Sequence, residues 1–253
     1  MSVYPDCRAE RRPTTECGRR LRWGFCVDGV AHAWEWRIDG PPPLHRLTPV
    51  RTPRTSARNR HMLVTAYSMT NGGHVALESG LEHDLVRWLD RDPNVLRIVA
   101  QPAELSWNSP TLAHHFPDLL TLHGDGGVTM WDVRAEEEQD EEFQTKSAIT
   151  REACMSVGWR YQVFSGLAEQ ERLNLLWLHG FRRRLPWADR FEDQIRTATH
   201  AHGVTLGALL SADDGTGELT SVVWHLLWRN DVLIPMDTRW TPDTPVSIGA
   251  ENT

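Results

Sequence analysis

The pattern of apolar and polar positions is most regular in the middle of the chain. Between residues 78 and 89 apolar side chains recur at helical spacing and would share one face: Leu81, Leu85, Trp88 and Leu89. Asp92-Pro93-Asn94 then provides a stop signal. The pattern therefore predicts an amphipathic helix over 78–89.

Short apolar runs after this helix are typical of strands. The predicted elements, in chain order, are strands at 95–99, 115–122 and 128–133, a helix at 143–157 and a strand at 159–164. Residues 105–107 are expected to continue the first strand beyond Pro102, and the Gly-rich turn at 123–127 joins the next two strands as a hairpin. The order of helix, three strands, helix and strand predicts a mixed α/β core.

The flanking segments have a different character, so we expect three parts. Residues 1–60 are rich in proline, arginine, threonine and serine, which predicts a basic, largely extended N-terminal arm containing a short strand pair that turns at Asp28-Gly29. Residues 61–166 contain the α/β core. Residues 167–253 predict a small helical or winged-helix-like module. Its predicted elements are helices at 167–181, 190–201, 206–210 and 219–228 and a short strand at 232–235.

Composition narrows the cellular setting. With 40% hydrophobic and 24% charged residues, the chain has the composition of a globular protein. No apolar run approaches the roughly 18 residues that a membrane span needs, and no apolar stretch follows the N-terminal arginines as in a secretory signal. Four cysteines in 253 residues are too few for a disulfide framework. We therefore expect a cytoplasmic protein without a membrane partner.

The charge is distributed unevenly along the chain. Residues 1–60 carry 12 arginines and six acidic residues, a balance of +6, which leaves −13 for the remainder of a chain whose net charge is −7. A basic arm on an acidic body predicts contact between the arm and a polyanion. A solvated tail without a partner explains the same composition equally well.

Two acidic motifs lie on the strands that the Gly-rich turn joins. Asp118 follows Pro117 at the start of one strand, and Asp132 and Arg134 lie two positions apart on the next. Side chains alternate along a strand, so Asp132 and Arg134 are expected on one face, with Asp118 nearby if the hairpin is in register. Such a group suits phosphodiester hydrolysis, because carboxylates hold Mg²⁺ and a cation stabilises charge on the phosphate. Each motif alone also fits a turn start or an exposed ion pair.

These motifs resemble the PD-(D/E)xK nuclease signature. More narrowly, residues 78–164 resemble the TnsA-type endonuclease subunit of heteromeric transposases. The matching motifs are Ser79-Gly80-Leu81-Glu82, Gln101-Pro102, Phe116-Pro117-Asp118, Trp131-Asp132-Val133-Arg134 and the stretch 153–161, with Leu226-Leu227-Trp228-Arg229 in the C-terminal module. The resemblance implies a restriction-endonuclease-like mixed sheet flanked by helices.

The resemblance also implies the site residues. Glu82, Asp118 and Asp132 would be the catalytic metal ligands, with Mg²⁺ as the cofactor and Mn²⁺ as a substitute. Glu82 has a purely structural alternative, because Ser79-x-x-Glu82 is a capping box in which the carboxylate bonds back to the Ser79 amide.

The catalytic cation departs from the family pattern. Arg134 stands where the family usually has lysine, and its high pKa prevents proton transfer near neutral pH. The only lysine of the chain, Lys146, lies on the following helix and could take that role, although a solvated helix residue explains it as well. The acidic run at 136–142 is expected to form an exposed loop and a helix N-terminus.

The function implied by the resemblance is that of a metal-dependent DNA endonuclease subunit that hydrolyses one strand at transposon ends. Its expected partners are the DNA, a DDE-type transposase subunit and an AAA+ ATPase regulator. One alternative is a stand-alone restriction or repair nuclease of the same fold. Another is a catalytically inactive assembly module, for which Arg134 in place of lysine is the main support.

Overall fold

Two larger sheets form the centre of the fold. The computed structural model describes residues 21–51, 64–108 and 112–249, and these form a mixed α/β protein. The strands are β1 (Leu21–Val27), β2 (Val30–Trp34), β3 (Leu47–Thr48), β4 (Val64–Ser68), β5 (Gly73–Leu77), β6 (Val95–Ala100), β7 (Ala103–Asn108), β8 (Leu112–His115), β9 (Leu119–His123), β10 (Val128–Val133), β11 (Arg160–Phe164), β12 (Val232–Leu233) and β13 (Ser247–Ile248). The helices are α1 (Trp36–Asp39), α2 (Gly80–Arg91), α3 (Glu141–Ser156), α4 (Glu169–His179), α5 (Glu192–Thr199), α6 (Leu206–Leu210) and α7 (Glu218–Trp228).

The first sheet is antiparallel and contains the N-terminal strands. Its order is β2-β1-β7-β8, and β3 pairs with β1. The turn expected at Asp28-Gly29 closes the β1–β2 hairpin, with φ values of 50° and 82° at its two residues. Two successive positive φ values are what a type I′ turn requires.

The expectation of a largely extended arm is wrong for residues 21–48. Trp23, Phe25 and Leu47 are buried in the same apolar cluster as β7 and α3, so this segment is an integral part of the core. The prolines and arginines suggested a linker, but the aromatic side chains of β1 bury enough apolar surface to order it. Within the predicted arm, residues 1–20 and 52–60 lie outside the described residues.

The second sheet is mixed and contains the predicted core elements. Its order is β11-β10-β9-β6, with β10 and β11 parallel and the other neighbours antiparallel. Helix α2 precedes β6, and α3 connects β10 to β11. The predicted hairpin between β9 and β10 is present, with Leu120 opposite Met130, and Gly126 in its turn has a φ of 78° that suits glycine.

Two of the predicted strands have wrong boundaries. Residues 105–107 do not continue β6 but belong to β7 in the other sheet, because the chain turns at Gln101, whose φ is 46°. The strand expected over 115–122 is two strands, since β8 ends at His115 and pairs with β7. Pro117 has no N–H to donate to a ladder and lies between them.

Both faces of the mixed sheet are covered. Leu120 and Met130 share a buried cluster with side chains of α3 and the first sheet. Their neighbours Leu119 and Trp131 share a different cluster with α2 and the β4–β5 hairpin. The alternation of β9 and β10 side chains therefore separates two layers, as expected for a strand buried on both faces.

The C-terminal part of the chain is helical. Helices α4 to α7 enclose a third apolar cluster, and β12 pairs with β13 after α7. This module contacts α2, since Arg91 donates to the Leu227 carbonyl and Asn230 donates to the Arg91 carbonyl, both at 3.1 Å. None of the helices in the described ranges is both long enough and apolar enough to cross a membrane.

Candidate functional site

Asp118 lies in the short connection between β8 and β9, at the edge of the mixed sheet. Its main chain is fixed on both sides, because its N–H donates to the Trp131 carbonyl at 2.9 Å and its carbonyl accepts from Gln101 N–H at 2.8 Å. Its side-chain Oδ2 accepts from the Val133 N–H at 2.7 Å. The carboxylate is therefore held beside the last residues of β10.

The charge around Asp118 is strongly negative. Burial, and then the negative charges of Asp132 and Glu82, raise the pKa of Asp118 well above its ordinary value, while the hydrogen bond from Val133 lowers it by less. Asp132 and Glu82 are thus each near enough to act on the charge of Asp118. The three carboxylates reach this region from three separate elements, α2, the β8–β9 connection and β10.

Glu82 lies in the first turn of α2 and is 5% exposed. Its carboxylate accepts from the Ser79 hydroxyl at 2.9 Å and from the Glu78 N–H at 3.0 Å, and its own N–H donates to Ser79 Oγ at 3.1 Å. The side chain caps the helix through the Glu78 amide, one residue before the Ser79 amide that the capping-box alternative predicts. Burial is the main cause that raises the pKa of Glu82.

Asp132 is the most buried of the three carboxylates, with 1% exposure. His115 Nε2 lies 2.9 Å from both of its oxygens, and the Tyr161 hydroxyl donates to Oδ2. The Tyr161 oxygen also lies 3.0 Å from Ser147 Oγ on α3. Burial and the Asp132 charge raise the pKa of Tyr161, so the phenol remains protonated and acts as a hydrogen-bond donor.

The predicted cations have acidic partners of their own. Arg134 donates from Nε to the Glu138 carbonyl at 3.0 Å, and the same atom lies 3.6 Å from the Glu138 carboxylate. Its side chain is 44% exposed. Lys146 pairs with Glu142 one turn earlier on α3. The structure therefore gives Arg134 a partner in the acidic run rather than in Asp118 or Asp132.

The sequence did not single out Arg51, which lies beside these carboxylates. It donates from Nε to Gln101 Oε1 at 2.7 Å and pairs with Glu78 at 3.1 Å. Its charge is one of the influences that lower the pKa of Glu82. In the sequence, Arg51 was one of several arginines in a predicted linker. His115 and Tyr161 were likewise missed as neighbours of Asp132.

The acidic run at 136–142 occupies the connection between β10 and α3, as predicted. A short 3₁₀ turn (Glu136–Glu138) precedes Asp140, which caps α3 by accepting from the Phe143 N–H at 2.8 Å. The first turn of α3 therefore carries acidic residues where the helix dipole favours them.

Comparison with known proteins adds nothing to this description. No family model matches the chain, and no curated protein matches it significantly.

The three carboxylates have the ligand chemistry that suits a hard divalent cation. Their present positions suit it less well. Burial, and then the charges of Asp132 and Glu82, raise the pKa of Asp118, and a bound dication would favour its charged form. Carboxylate oxygens are also the ligands that Mg²⁺ and Mn²⁺ prefer. Within the described ranges, however, no three His, Cys, Asp or Glu side chains are grouped to hold a metal. Binding would require Glu82 or Asp132 to leave its present hydrogen-bond partners.

Proposed function

We propose that this protein is a metal-dependent DNA endonuclease that hydrolyses one strand at transposon ends as a subunit of a heteromeric transposase. The observation that carries the proposal is the position of the Asp118 carboxylate, which accepts the Val133 N–H at 2.7 Å beside Asp132. Burial, and then the charges of Asp132 and Glu82, raise the pKa of Asp118. Buried like charges are costly unless a cation or a substrate compensates for them. The order of the three carboxylates along the chain is also the order that the resemblance to TnsA-type subunits implies.

The element order supports the proposed restriction-endonuclease-like core. A helix with a carboxylate in its first turn leads into five strands, of which β6, β9 and β10 belong to the mixed sheet. Helix α3 then returns the chain to a final strand parallel to β10. Asp118 and Asp132 belong to the adjacent strands β9 and β10 or their ends. The β12–β13 pair after α7 supports a winged-helix-like C-terminal module.

In the proposed reaction, the chain positions groups around a scissile phosphate. Asp118 is the central metal ligand, and the Val133 N–H fixes the orientation of its carboxylate. Glu82 and Asp132 would complete the ligand set. When bound, Mg²⁺ or Mn²⁺ lowers the pKa of a water molecule and stabilises charge on the phosphate. Arg134 would balance that charge electrostatically, since it cannot transfer a proton near neutral pH.

A nicking assay with partners tests the proposal. The protein is combined with a DDE-type transposase, an AAA+ ATPase and end-labelled transposon-end DNA, in Mg²⁺ or Mn²⁺. Wild-type protein should cut one strand, Asp118→Ala should not, and Asp92→Ala should behave as wild type. Asp92 is a matched control because its carboxylate bonds the Asn94 N–H at the other end of α2. Equal cutting by Asp118→Ala would remove the metal-site assignment.

Two observations favour the inactive assembly module as a second candidate. Arg134 is bonded to Glu138, and no three carboxylates of the part of the chain that the structure describes are grouped for a metal. On this alternative, the wild-type protein would cut nothing in either metal. Omitting the protein from the reaction would still abolish cutting by the partner transposase. Cutting without any partner would instead favour a stand-alone nuclease.

A further inference from the structure

Arg51 is held in a defined position beside the carboxylates. Its Nε donates to Gln101 Oε1 at 2.7 Å, its NH2 group lies 3.1 Å from the Glu78 carboxylate, and its guanidinium carbon lies 5.0 Å from the centre of the Phe116 ring. An exposed arginine with only an ion pair would be free to move. Three different contacts restrict this one.

The anchor of Arg51 is the residue that also fixes Asp118. Gln101 is 1% exposed and has a φ of 46°, a left-handed conformation that is unfavourable for a residue with a Cβ. Its N–H donates to the Asp118 carbonyl, and its carbonyl accepts from the Val50 N–H, both at 2.8 Å. Gln101 therefore positions both groups, because its buried side chain holds the Arg51 guanidinium and its backbone holds Asp118.

The surroundings of Arg51 would otherwise repel DNA. After burial, the negative charges of Asp132, Glu82 and Glu78 each raise the pKa of Asp118. Arg134 is occupied by Glu138. A phosphate that approaches Asp118 therefore needs a nearby cation, and guanidinium is the side-chain group that pairs with two phosphate oxygens at once.

The pair between Arg51 and Glu78 can exchange for a phosphate. The two side chains are 42% and 32% exposed, so the ion pair is weak and accessible to a ligand. The bond to the neutral Gln101 would remain during the exchange and keep the guanidinium in place. Glu78 would then act as an internal competitor for the substrate.

We infer that Arg51 is a phosphate-binding residue of this site, which contacts the DNA backbone next to the carboxylates in exchange for Glu78. The inference rests on the proposed function for its substrate, DNA. On this inference, the N-terminal segment contacts the DNA directly at the site and does not only attract it through its net positive charge.

The test measures binding of a fluorescent transposon-end duplex to the protein with its partner transposase, in Ca²⁺ and at several salt concentrations. Arg51→Ala should raise Kd by about tenfold and reduce the salt dependence by about one phosphate contact. Arg51→Lys should keep the salt dependence with intermediate affinity. Arg46→Ala is the matched control, because Arg46 forms an exposed ion pair with Asp28 in the same segment and should change neither quantity.

A second variant protects the test against a simple folding defect. Glu78→Gln should tighten binding by removing the competitor, and it should do so only while Arg51 is present. If Arg51→Ala matches Arg46→Ala, or if Glu78→Gln acts equally in both backgrounds, the inference is wrong. Absence of any DNA binding by the wild-type complex would also overturn it.

The cleavage assay separates this inference from the proposed function. If binding depends on Arg51 but neither wild type nor Asp118→Ala cuts, hydrolysis fails while the phosphate contact stands. If cutting depends on Asp118 but binding is indifferent to Arg51, the nuclease stands and the Arg51 assignment fails.

Discussion

The Asp118 carboxylate is tied to the end of the neighbouring strand, because its Oδ2 accepts the Val133 N–H at 2.7 Å. Val133 is the last residue of β10 and lies between the two predicted site residues Asp132 and Arg134. The hydrogen bond therefore holds a carboxylate with an unfavourable charge at one place on the sheet edge. That arrangement sacrifices stability for position, as functional sites often do.

Asp118→Asn should stabilise the fold at pH 8. Asparagine keeps an oxygen for Val133 but removes the charge that Asp132 and Glu82 oppose. Because the pKa of Asp118 in the folded protein is raised above its ordinary value, its contribution to stability is complete below the ordinary pKa and is lost as pH rises through the folded pKa. The variant should thus melt a few degrees higher than wild type at pH 8, and the difference should vanish near pH 3.

The same melting experiment reports on the metal. Mn²⁺ should raise the melting temperature of the wild type at pH 8 and leave Asp118→Asn unchanged, because a ligand stabilises only the state that binds it. If Asp118→Asn is less stable than wild type at pH 8, the charge of the Asp118 carboxylate is compensated in solution. The proposed repulsion would then be wrong.

Tyr161→Phe should destabilise the protein by about 1.5–3 kcal/mol, the range for losing a hydrogen bond to a charged group. The ring remains, but the buried Asp132 carboxylate loses its hydroxyl donor. Urea unfolding measures the effect, and Tyr67→Phe on the outer β4–β5 hairpin is a control that should cost much less. Equal effects of the two changes would mean that the Asp132 contact contributes little.

Some of this site could be predicted from local rules. Strand alternation and a tight Gly-rich turn predicted that Asp118 and Asp132 lie close together, and β10 has the predicted bounds. The helix of Glu82 was evident from its apolar face and its capping serine. These are short-range patterns, and the register of a hairpin follows from its turn.

The partners of the carboxylates could not be predicted in this way. Arg51 meets Gln101 across 50 positions of sequence, and Tyr161 meets Asp132 across 29. Such pairs depend on how whole elements pack, which periodicity does not specify. The pairing of the predicted β1–β2 hairpin with β7 was missed for a related reason, since it joins segments that look unrelated in sequence.

Two truncations separate the structural part of the N-terminal segment from its predicted contact with DNA. Removing residues 1–60 would delete β1 to β3 and expose the core around Phe25, so we expect an insoluble or unfolded product. Removing only 1–20, which carries five arginines and three acidic residues, should leave a folded protein with weaker DNA binding. Circular dichroism and fluorescence anisotropy test the two parts. Unchanged binding by the shorter truncation would favour a tail without a partner.

Asp84 should be a strong determinant of stability, because it joins α2 to α4. It is 4% exposed and bonds both Arg87 and Arg172. Asp84→Ala leaves the partly buried Arg87 without its partner and should cost about 3 kcal/mol or more. Arg172→Ala should cost about 1 kcal/mol or less, because Arg172 is 49% exposed. Chemical denaturation of both variants checks the ranking, and a reversed order would contradict the assignment.

Arg134 decides between an active nuclease and an inactive module. If it supplies the catalytic charge, Arg134→Ala should reduce strand cleavage by about 10² or more, the scale for losing one charge-stabilising group. Arg134→Lys should preserve or raise the rate. Lys146→Ala should change little, because Lys146 is engaged in an exposed pair with Glu142.

The contrary outcomes of the Arg134 experiment are equally specific. Cleavage that survives Arg134→Ala but not Lys146→Ala would place the catalytic lysine on α3. In that case Arg134 would serve only to bind Glu138 and order the acidic connection. If the wild type itself never cuts with its partners and Mn²⁺ present, the inactive module is correct. A rate increase on Glu138→Ala would show instead that Glu138 holds Arg134 away from the carboxylates.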